Sequence, residues 1–567
     1  MVLGINDNHD ASAALVVEGA LVAAASEERF DRSKGSGRFP WRAIAACLAT
    51  AGLRPSEVEL VAVGSTITPP LPVRCLPALR DREGVGHGQF NYLLNLLILY
   101  QSAAARTGLL RLEGRANAQA LRARLRSGGL RAPLRLLDHH RCHAESAYRT
   151  QPAARCLVLT ADGMGDGRCA TAWLGGPDGL RPLRSFSGRA AINTFYSRIT
   201  EWLGFHAMRH EGKVTGLAAL AEPPPALLAH MGAHLNFRAG RFSTEAYHWP
   251  QHPDDAFFGE LRAYSPAEVA AAAQATLEAA VCAWARHEME QTGVHDVALA
   301  GGLFGNVKVN QRIAALPGLR SLWVFPNMGD GGLAVGAALL AAEAPLLRLQ
   351  HVNLGPDIPA EAVAQAATGL RALPGAALDG AAAVLARGGA VARAAGRMEL
   401  GPRALGSRSI LAPAHDPAIN QRLNAALQRS DFMPFAPMIR SEEAPALLVG
   451  LDRAPEAARF MTLCFDCTPA MRAEAPAAVH VDGTARPQVV HAAEAPVLHA
   501  LLTEYQARTG RRVLLNTSFN LHEEPIVCTA ADAVQTFVRS GLDALWLGDR
   551  LLGQAGAPDP RGAGPVG

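Results

Sequence analysis

Near the N-terminus, short apolar runs alternate with pairs of turn residues. Residues 2–5 read as a buried strand, and residues 13–17 and 20–25 as a hairpin turned at Glu18-Gly19, with the polar turn Asn8-His9-Asp10-Ala11-Ser12 between them. Further continuous apolar runs at 154–161, 297–300 and 322–325 have strand length, and each is followed by glycine-containing turn chemistry. At Ser265-Pro266-Ala267-Glu268 the hydroxyl, the proline and the acid three positions on are the signature of a helix start, and the Ala-rich stretch behind it predicts a helix running toward Arg286. Strands alternating with helices place the chain in the α/β class.

At 567 residues the chain is too long for one core. The polar, proline-bearing stretch 348–359 reads as a linker between a unit spanning 1–347 and a second spanning 360–552, and the Gly- and Pro-rich residues 553–567 read as a disordered tail. No internal repeat of fixed period is visible. A net charge of +3 and the lack of a dense basic tract argue against nucleic acid; the arginines between 106 and 135 are spaced along a helical face. The apolar run 93–100 is broken by Asn95 and too short to span a bilayer, so no membrane partner is expected. The first residues lack a basic and an apolar signal region, which makes a cytoplasmic location the expectation. Nine scattered cysteines suit reduced thiols, and Cys464-Phe465-Asp466-Cys467 has no second pair to complete a zinc site.

The chemistry begins at Asp138-His139-His140-Arg141-Cys142-His143. His139 and His143, four apart, share one helical face and could hold one metal ion. Asp162 follows the run 154–161 and Asp330 follows 322–325, so both carboxylates are expected at strand ends, where open α/β sheets bind ligands. Two imidazoles and two carboxylates suit Fe(II), Mn(II) or Zn(II), with His140 and Asp166 as alternative ligands. Gly301-Gly302 opens a turn whose N–H groups can approach phosphate. In the second unit, Arg397, Arg403 and Arg408 lie in a glycine-broken stretch, and guanidinium groups in such a loop suit phosphate or carboxylate oxygens. Arg486 and the loop Asn516-Thr517-Ser518-Phe519-Asn520 add a further cation and small hydrogen-bonding groups.

Taken in order, Asn8-His9-Asp10-Ala11-Ser12, Glu27-Glu28-Arg29-Phe30, the histidine run, Asp162-Gly163, Glu211-Gly212-Lys213-Val214-Thr215-Gly216, Gly301-Gly302, Gly329-Asp330, Gly401-Pro402-Arg403-Ala404-Leu405-Gly406 and Asn516–Asn520 resemble the O-carbamoyltransferases of nodulation and antibiotic biosynthesis, including those acting on aminoglycosides, cephems, novobiocin and ansamycins. The resemblance implies an N-terminal duplicated domain of the actin-like ATPase (ASKHA) type. It also implies a C-terminal α/β domain similar to threonylcarbamoyl-adenylate synthase. That second domain would condense ATP, with Mg, and carbamoyl phosphate to carbamoyl-adenylate; the first, with Fe(II), would pass the carbamoyl group to a hydroxyl of a small-molecule acceptor, a secondary metabolite. It further implies His139, His143, Asp162 and Asp330 as metal ligands, His9 as the base with Asp10 orienting it, Lys213, Gly301 and Gly302 at the nucleotide, and Arg403, Arg408, Arg486, Asn516 and Ser518 as the second domain's substrate contacts. A homodimer is compatible with the family. One departure stands out: Leu427 occupies the place of a usual lysine, with Arg429 nearby as a substitute cation. That departure keeps two alternatives in view, an enzyme that only transfers from a donor made elsewhere and a non-catalytic family member. Acceptor selection is expected in the insertions between 69 and 131 and between 221 and 265, where Asp254, Asp255 and Glu260 could attract a cationic acceptor.

Overall fold

The computed structural model describes residues 1–75, 100, 107, 109–190, 192–243, 256–429 and 435–556. It divides into two compact units, Met1–Glu27 with Ser36–Leu349, and Glu28–Gly35 with Gln350–Gly567.

The first unit is built on two five-stranded sheets. One contains β1 (Val2–Asn6), β2 (Ser12–Val17), β3 (Ala20–Ser26), β4 (Leu60–Val63) and β5 (Leu134–Leu136) in the order β3-β2-β1-β4-β5. The other contains β6 (Cys156–Gly165), β7 (Arg168–Gly176) and β8 (Gly179–Ser187). After the small hairpin β9 (Asn236–Arg238) and β10 (Arg241–Ser243), β11 (Asp296–Ala300) and β12 (Ser321–Val324) complete it in the order β12-β11-β6-β7-β8. In each sheet the first three strands form an antiparallel meander, and the last two join the first strand in parallel. Read from the meander edge, the two orders are the same, so the unit is a structural duplication, the arrangement that the family resemblance implies. In each half a helix follows the last strand: His139–Thr150 after β5 and Leu333–Ala341 after β12. These two helices pack so closely that a Cβ on Gly336 would fall on the backbone of Cys142.

Local sequence accounts for these elements. Glu18 and Gly19 both have positive φ, 50° and 80°, the geometry of the two-residue turn that matches strand twist. In the helix Leu109–Ser127, Arg111, Arg115, Arg122 and Arg126 are exposed while Asn117, Leu121 and Leu125 are buried, so the arginine run is a solvated helical face. The Ser265 capping box forms, but the helix runs from Pro266 to Thr292 and stops only where Gly293 adopts φ 63°. Among the described residues no helix is long and apolar enough to cross a membrane.

The second unit is a mixed eight-stranded sheet with helices against it. Its strands are β13 (Arg371–Ala372), β14 (Val391–Ala394), β15 (Arg408–Pro413), β16 (Ala436–Arg440), β20 (Gln488–Val490), β21 (Val513–Ser518), β22 (Ala544–Leu547) and β23 (Arg550–Gly553); β17 (Leu448–Val449), β18 (Phe465–Cys467) and β19 (Thr484–Ala485) form a separate small sheet. Two boundary expectations change. The change of unit falls inside the stretch 348–359, between Leu349 and Gln350, and residues 350–359 pack with the second unit rather than looping free: Val352 and Leu354 are buried, and Arg397 donates to the carbonyls of Gly355 (3.0 Å) and Leu354 (2.7 Å). Burial of those apolar side chains outweighs the polar composition around them. At the other end Gly553 is not tail but the last residue of β23, opposite Arg371, while 557–567 lie outside the described residues.

Candidate metal centre and anion-binding loops

Asp138 caps the helix His139–Thr150 by accepting from the Arg141 N–H at 2.9 Å, which fixes where the first turn begins and turns His139 and His143 to the same side. Asp162 comes from the end of β6. That strand continues to Gly165 with its register broken after Ala161, so Asp162 lies in an irregular stretch of the β6–β7 hairpin rather than beyond a strand end. Asp330 opens a short 3-10 turn ahead of the helix Leu333–Ala341. One ligand atom of each of the four residues lies within 4.8 Å of the others. His139 Nε2 is 3.2 Å from Asp162 Oδ2 and 3.5 Å from Asp330 Oδ1, and His143 Nε2 is 3.4 Å from both of those oxygens. Both histidines are fully buried, and Asp330 Oδ1 and His143 Nδ1 are buried without a hydrogen-bond partner. A buried carboxylate oxygen left unpaired and aimed at two imidazole nitrogens is costly unless a cation fills the gap, so these donors fit a divalent ion.

The electrostatics agree. Burial alone would lower the pKa of His139, but the charges of Asp330 and Asp162 outweigh it and hold the ring up to about 9. Burial works against ionisation of Asp162, yet hydrogen bonds from His139 and His143 keep its carboxyl well below the usual range. Protons thus stand in for positive charge at the centre of the four.

The alternative ligands have other tasks. His140 donates from Nε2 to the Arg168 carbonyl (3.1 Å) and accepts at Nδ1 from the Thr160 hydroxyl (2.8 Å); burial, with the neighbouring His139 and His143, pushes its pKa well below 6.5. Asp166 accepts from the backbone N–H groups of Thr66 (2.9 Å), Ile67 (2.8 Å) and His139 (3.0 Å), which occupies its carboxylate.

His9 and Asp10 come to the same place. In the β1–β2 turn, Asn6 Nδ2 donates to the carbonyls of His9 (3.0 Å) and Asp10 (3.2 Å), and Asp10 takes φ 53°. His9 Nε2 then lies 3.7 Å from Asp330 Oδ2 and its Nδ1 3.5 Å from Asp10 Oδ2. Burial would lower its pKa, but Asp10, Asp330 and Asp162 together raise it. Gly301, at φ 105°, packs so tightly that a Cβ would meet the Ala161 backbone, and a Cβ on Gly302 would lie 2.8 Å from Asp162 Oδ1. The glycine turn therefore abuts the carboxylate. Lys213 is half-buried on the helix Glu211–Leu217.

Sequence reasoning missed several residues here. Asn8 donates from Nδ2 to Asp330 Oδ2 at 3.1 Å, holding one carboxylate oxygen and leaving the other to the histidines. Ser65 meets His139, and the buried Arg74 makes a two-point ion pair with Asp7 (3.1 and 3.0 Å). Ser65 follows β4, so the strand-exit logic applied to Asp162 would have found it; Arg74 carries no such signal.

In the second unit, Glu399 Oε1 accepts from the Leu405 (2.9 Å), Ser407 (2.5 Å) and Arg408 (3.2 Å) N–H groups, which curls the arginine-bearing loop onto itself. Arg403 and Arg486 are half-buried neighbours, each with an unpartnered Nε. Burial and then the charge of Arg486 hold Arg403 down to about 9, and burial lowers Arg486 as well. Two close cations with unspent donors make a setting for an anion. Arg408, fully buried, spends Nε on the Cys528 carbonyl (3.2 Å) and Nη1 on those of Gly396 and Ser407 (both 2.9 Å), leaving Nη2. Asn516 Nδ2 donates to the Ala404 carbonyl (3.1 Å) and to Gln488 (2.6 Å), tying β21 to the arginine loop. Leu427 is a core residue, fully buried at the end of the helix Ala418–Ala426. Two positions on, Arg429 donates to Thr517 Oγ1 (3.0 Å), Ser518 Oγ (3.2 Å) and Asn520 Oδ1 (3.1 Å), so a cation does reach the β21 exit loop. Asp254, Asp255 and residues 76–99 of the expected acceptor insertions lie outside the described residues; Glu260 pairs with His230 at 3.1 Å.

Comparison with known proteins gives these features a family. Residues 99–339 match the model of the carbamoyltransferase N-terminus and residues 382–554 that of the carbamoyltransferase C-terminus. Nodulation protein NolNO of Sinorhizobium fredii is 31% identical over 96% of this chain and 79% of its own length. Nodulation protein NolO of Bradyrhizobium diazoefficiens is 31% identical over 73% of this chain and 78% of its own, and an uncharacterised Synechocystis protein, sll1178, is 30% identical over 98% and 97%. With both halves matched and the relatives spanning most of the chain, the protein belongs to the carbamoyltransferase family and is a carbamoyltransferase enzyme.

Proposed function

We propose that this carbamoyltransferase is an ATP-dependent O-carbamoyltransferase with a divided labour: the second unit makes carbamoyl-adenylate from ATP and carbamoyl phosphate, and the first passes the carbamoyl group to a hydroxyl of a secondary metabolite. The observation that carries this reading is the quartet of buried His139, His143 and Asp330 with half-buried Asp162, in which Asp330 Oδ1 accepts no hydrogen bond. His139, His143, Asp162 and Asp330 would hold the ion, for which Fe(II) is our first choice; when bound it supplies Lewis-acid polarisation of a substrate oxygen. Asn8 keeps Asp330 oriented. His9, made more basic by the surrounding carboxylates, takes the proton of the acceptor hydroxyl, and Asp10 stabilises the ring once protonated. The Gly301-Gly302 turn and Lys213 receive the nucleotide. In the second unit, Arg403, Arg486 and Arg429 offset the phosphate charges of two anionic substrates while Asn516 and Ser518 orient them. Arg429 supplies there the charge that the core residue Leu427 does not.

The test is pyrophosphate release by the purified protein given ATP, carbamoyl phosphate and Mg(II), under anaerobic Fe(II), omitting one component at a time. Release that needs both substrates is expected. No release from folded, metal-loaded protein would favour transfer from a donor made elsewhere or a non-catalytic role.

A further inference from the structure

Ser65 stands at the end of β4, one residue beyond Gly64, and its side chain is buried. Its Oγ donates to the Gly64 carbonyl at 2.6 Å and lies 2.8 Å from His139 Nδ1. A hydroxyl has one proton; with that proton on the Gly64 carbonyl, only lone pairs face the imidazole. His139 Nδ1 then keeps its hydrogen, and Nε2, which faces the Asp162 and Asp330 oxygens and gives its proton to Asp162 in the metal-free site, is the nitrogen left to bind a metal. His143 has no such restraint, since its Nδ1 is buried without a partner. The serine is itself held in place. The Arg74 guanidinium donates to the carbonyls of Ser65 (3.2 Å), Thr66 (3.0 Å) and Thr68 (3.0 Å), and Asp166 binds the N–H groups of Thr66 and His139. The same Arg74 pairs with Asp7, at the root of the turn that carries His9.

We propose that Ser65 is a positioning residue of the metal centre, fixing the tautomer and orientation of His139, with Arg74 and Asp166 holding the serine and the histidine backbone in register. This rests on the metal reading above. It makes the two histidines unequal ligands, His139 prealigned and His143 free to choose its tautomer.

Titration of the metal-free full chain with Co(II), followed by visible absorption, separates the two ideas. Ser65→Ala is expected to raise the Co(II) Kd about ten- to a hundredfold and to alter the absorption band. Ser65→Thr, which retains Oγ, is expected to restore both. An alanine variant with the parental Kd and spectrum would overturn the role of Ser65, as would a threonine variant as weak as the alanine one. A parental protein that takes up no Co(II) would overturn the metal reading itself.

Discussion

At the residue scale, the quartet makes a prediction about protons. Metal-free His139 is held up to about 9, above its ordinary 6.5, so at neutral pH an incoming cation must displace a proton. The sign follows from the raised value: the stabilisation that the protonated ring gives the metal-free fold is full below pH 6.5 and lost as pH rises through about 9. Metal affinity should therefore climb over that window and level off above it. Calorimetry at pH 7 in buffers of different ionisation enthalpy should register about one proton released per ion. Flat affinity with no proton release would contradict the charge balance described here. The histidine pair was legible in sequence because helix geometry alone brings positions four apart together. The contact of Asn8 with Asp330 was not, because 322 residues separate the two and only the fold joins them; Ser65 could be placed at a strand exit, but not against His139, 74 residues on.

At the element scale, the site depends on hairpin turns that let backbones and rings approach. A Cβ on Gly165 would fall inside the His139 imidazole, whereas one on Gly163 would meet nothing within 4 Å. Gly165→Ala should displace His139 or the β6–β7 hairpin, costing about 1–3 kcal/mol of stability and most of the metal affinity. Gly163→Ala should change stability by no more than about 0.5 kcal/mol. Thermal melts with and without metal check both, and indistinguishable behaviour of the two variants would mean that the close approach does not matter. Strand β6 shows where pattern reading stops. Its apolar run ends before Asp162, but pairing with β7 resumes at Gly165 and carries the strand onward. The Ser265 cap was readable from four residues, whereas the helix end was set by Gly293, beyond the Ala-rich stretch that suggested Arg286.

At the scale of the whole molecule, the duplication explains why one centre draws on distant segments. The β1–β2 turn, which carries His9 and Asp10, and the β6–β7 hairpin, which carries Asp162 near the end of β6 and Asp166 in its turn, hold equivalent places in the two halves. Asp10 and Asp166 even share positive φ, 53° and 49°. No fixed sequence period marks this symmetry, because strand order and direction persist after side chains diverge; the family motifs, not periodicity, made it expected. The change of unit does fall within 348–359, but the packing of residues 350–359 was not legible, since composition shows polarity but not which few apolar side chains are buried.

The central claim is that adenylate formation and carbamoyl transfer belong to separate units, and it is tested most directly by comparing His139→Ala with Arg486→Ala. Pyrophosphate release from ATP and carbamoyl phosphate should persist in His139→Ala, which should lose metal. It should fall at least about a hundredfold in Arg486→Ala, as loss of a charge-stabilising contact typically does, while metal binding stays parental. If Arg486→Ala released pyrophosphate at the parental rate, or His139→Ala lost release while remaining folded, the division of labour proposed here would be contradicted.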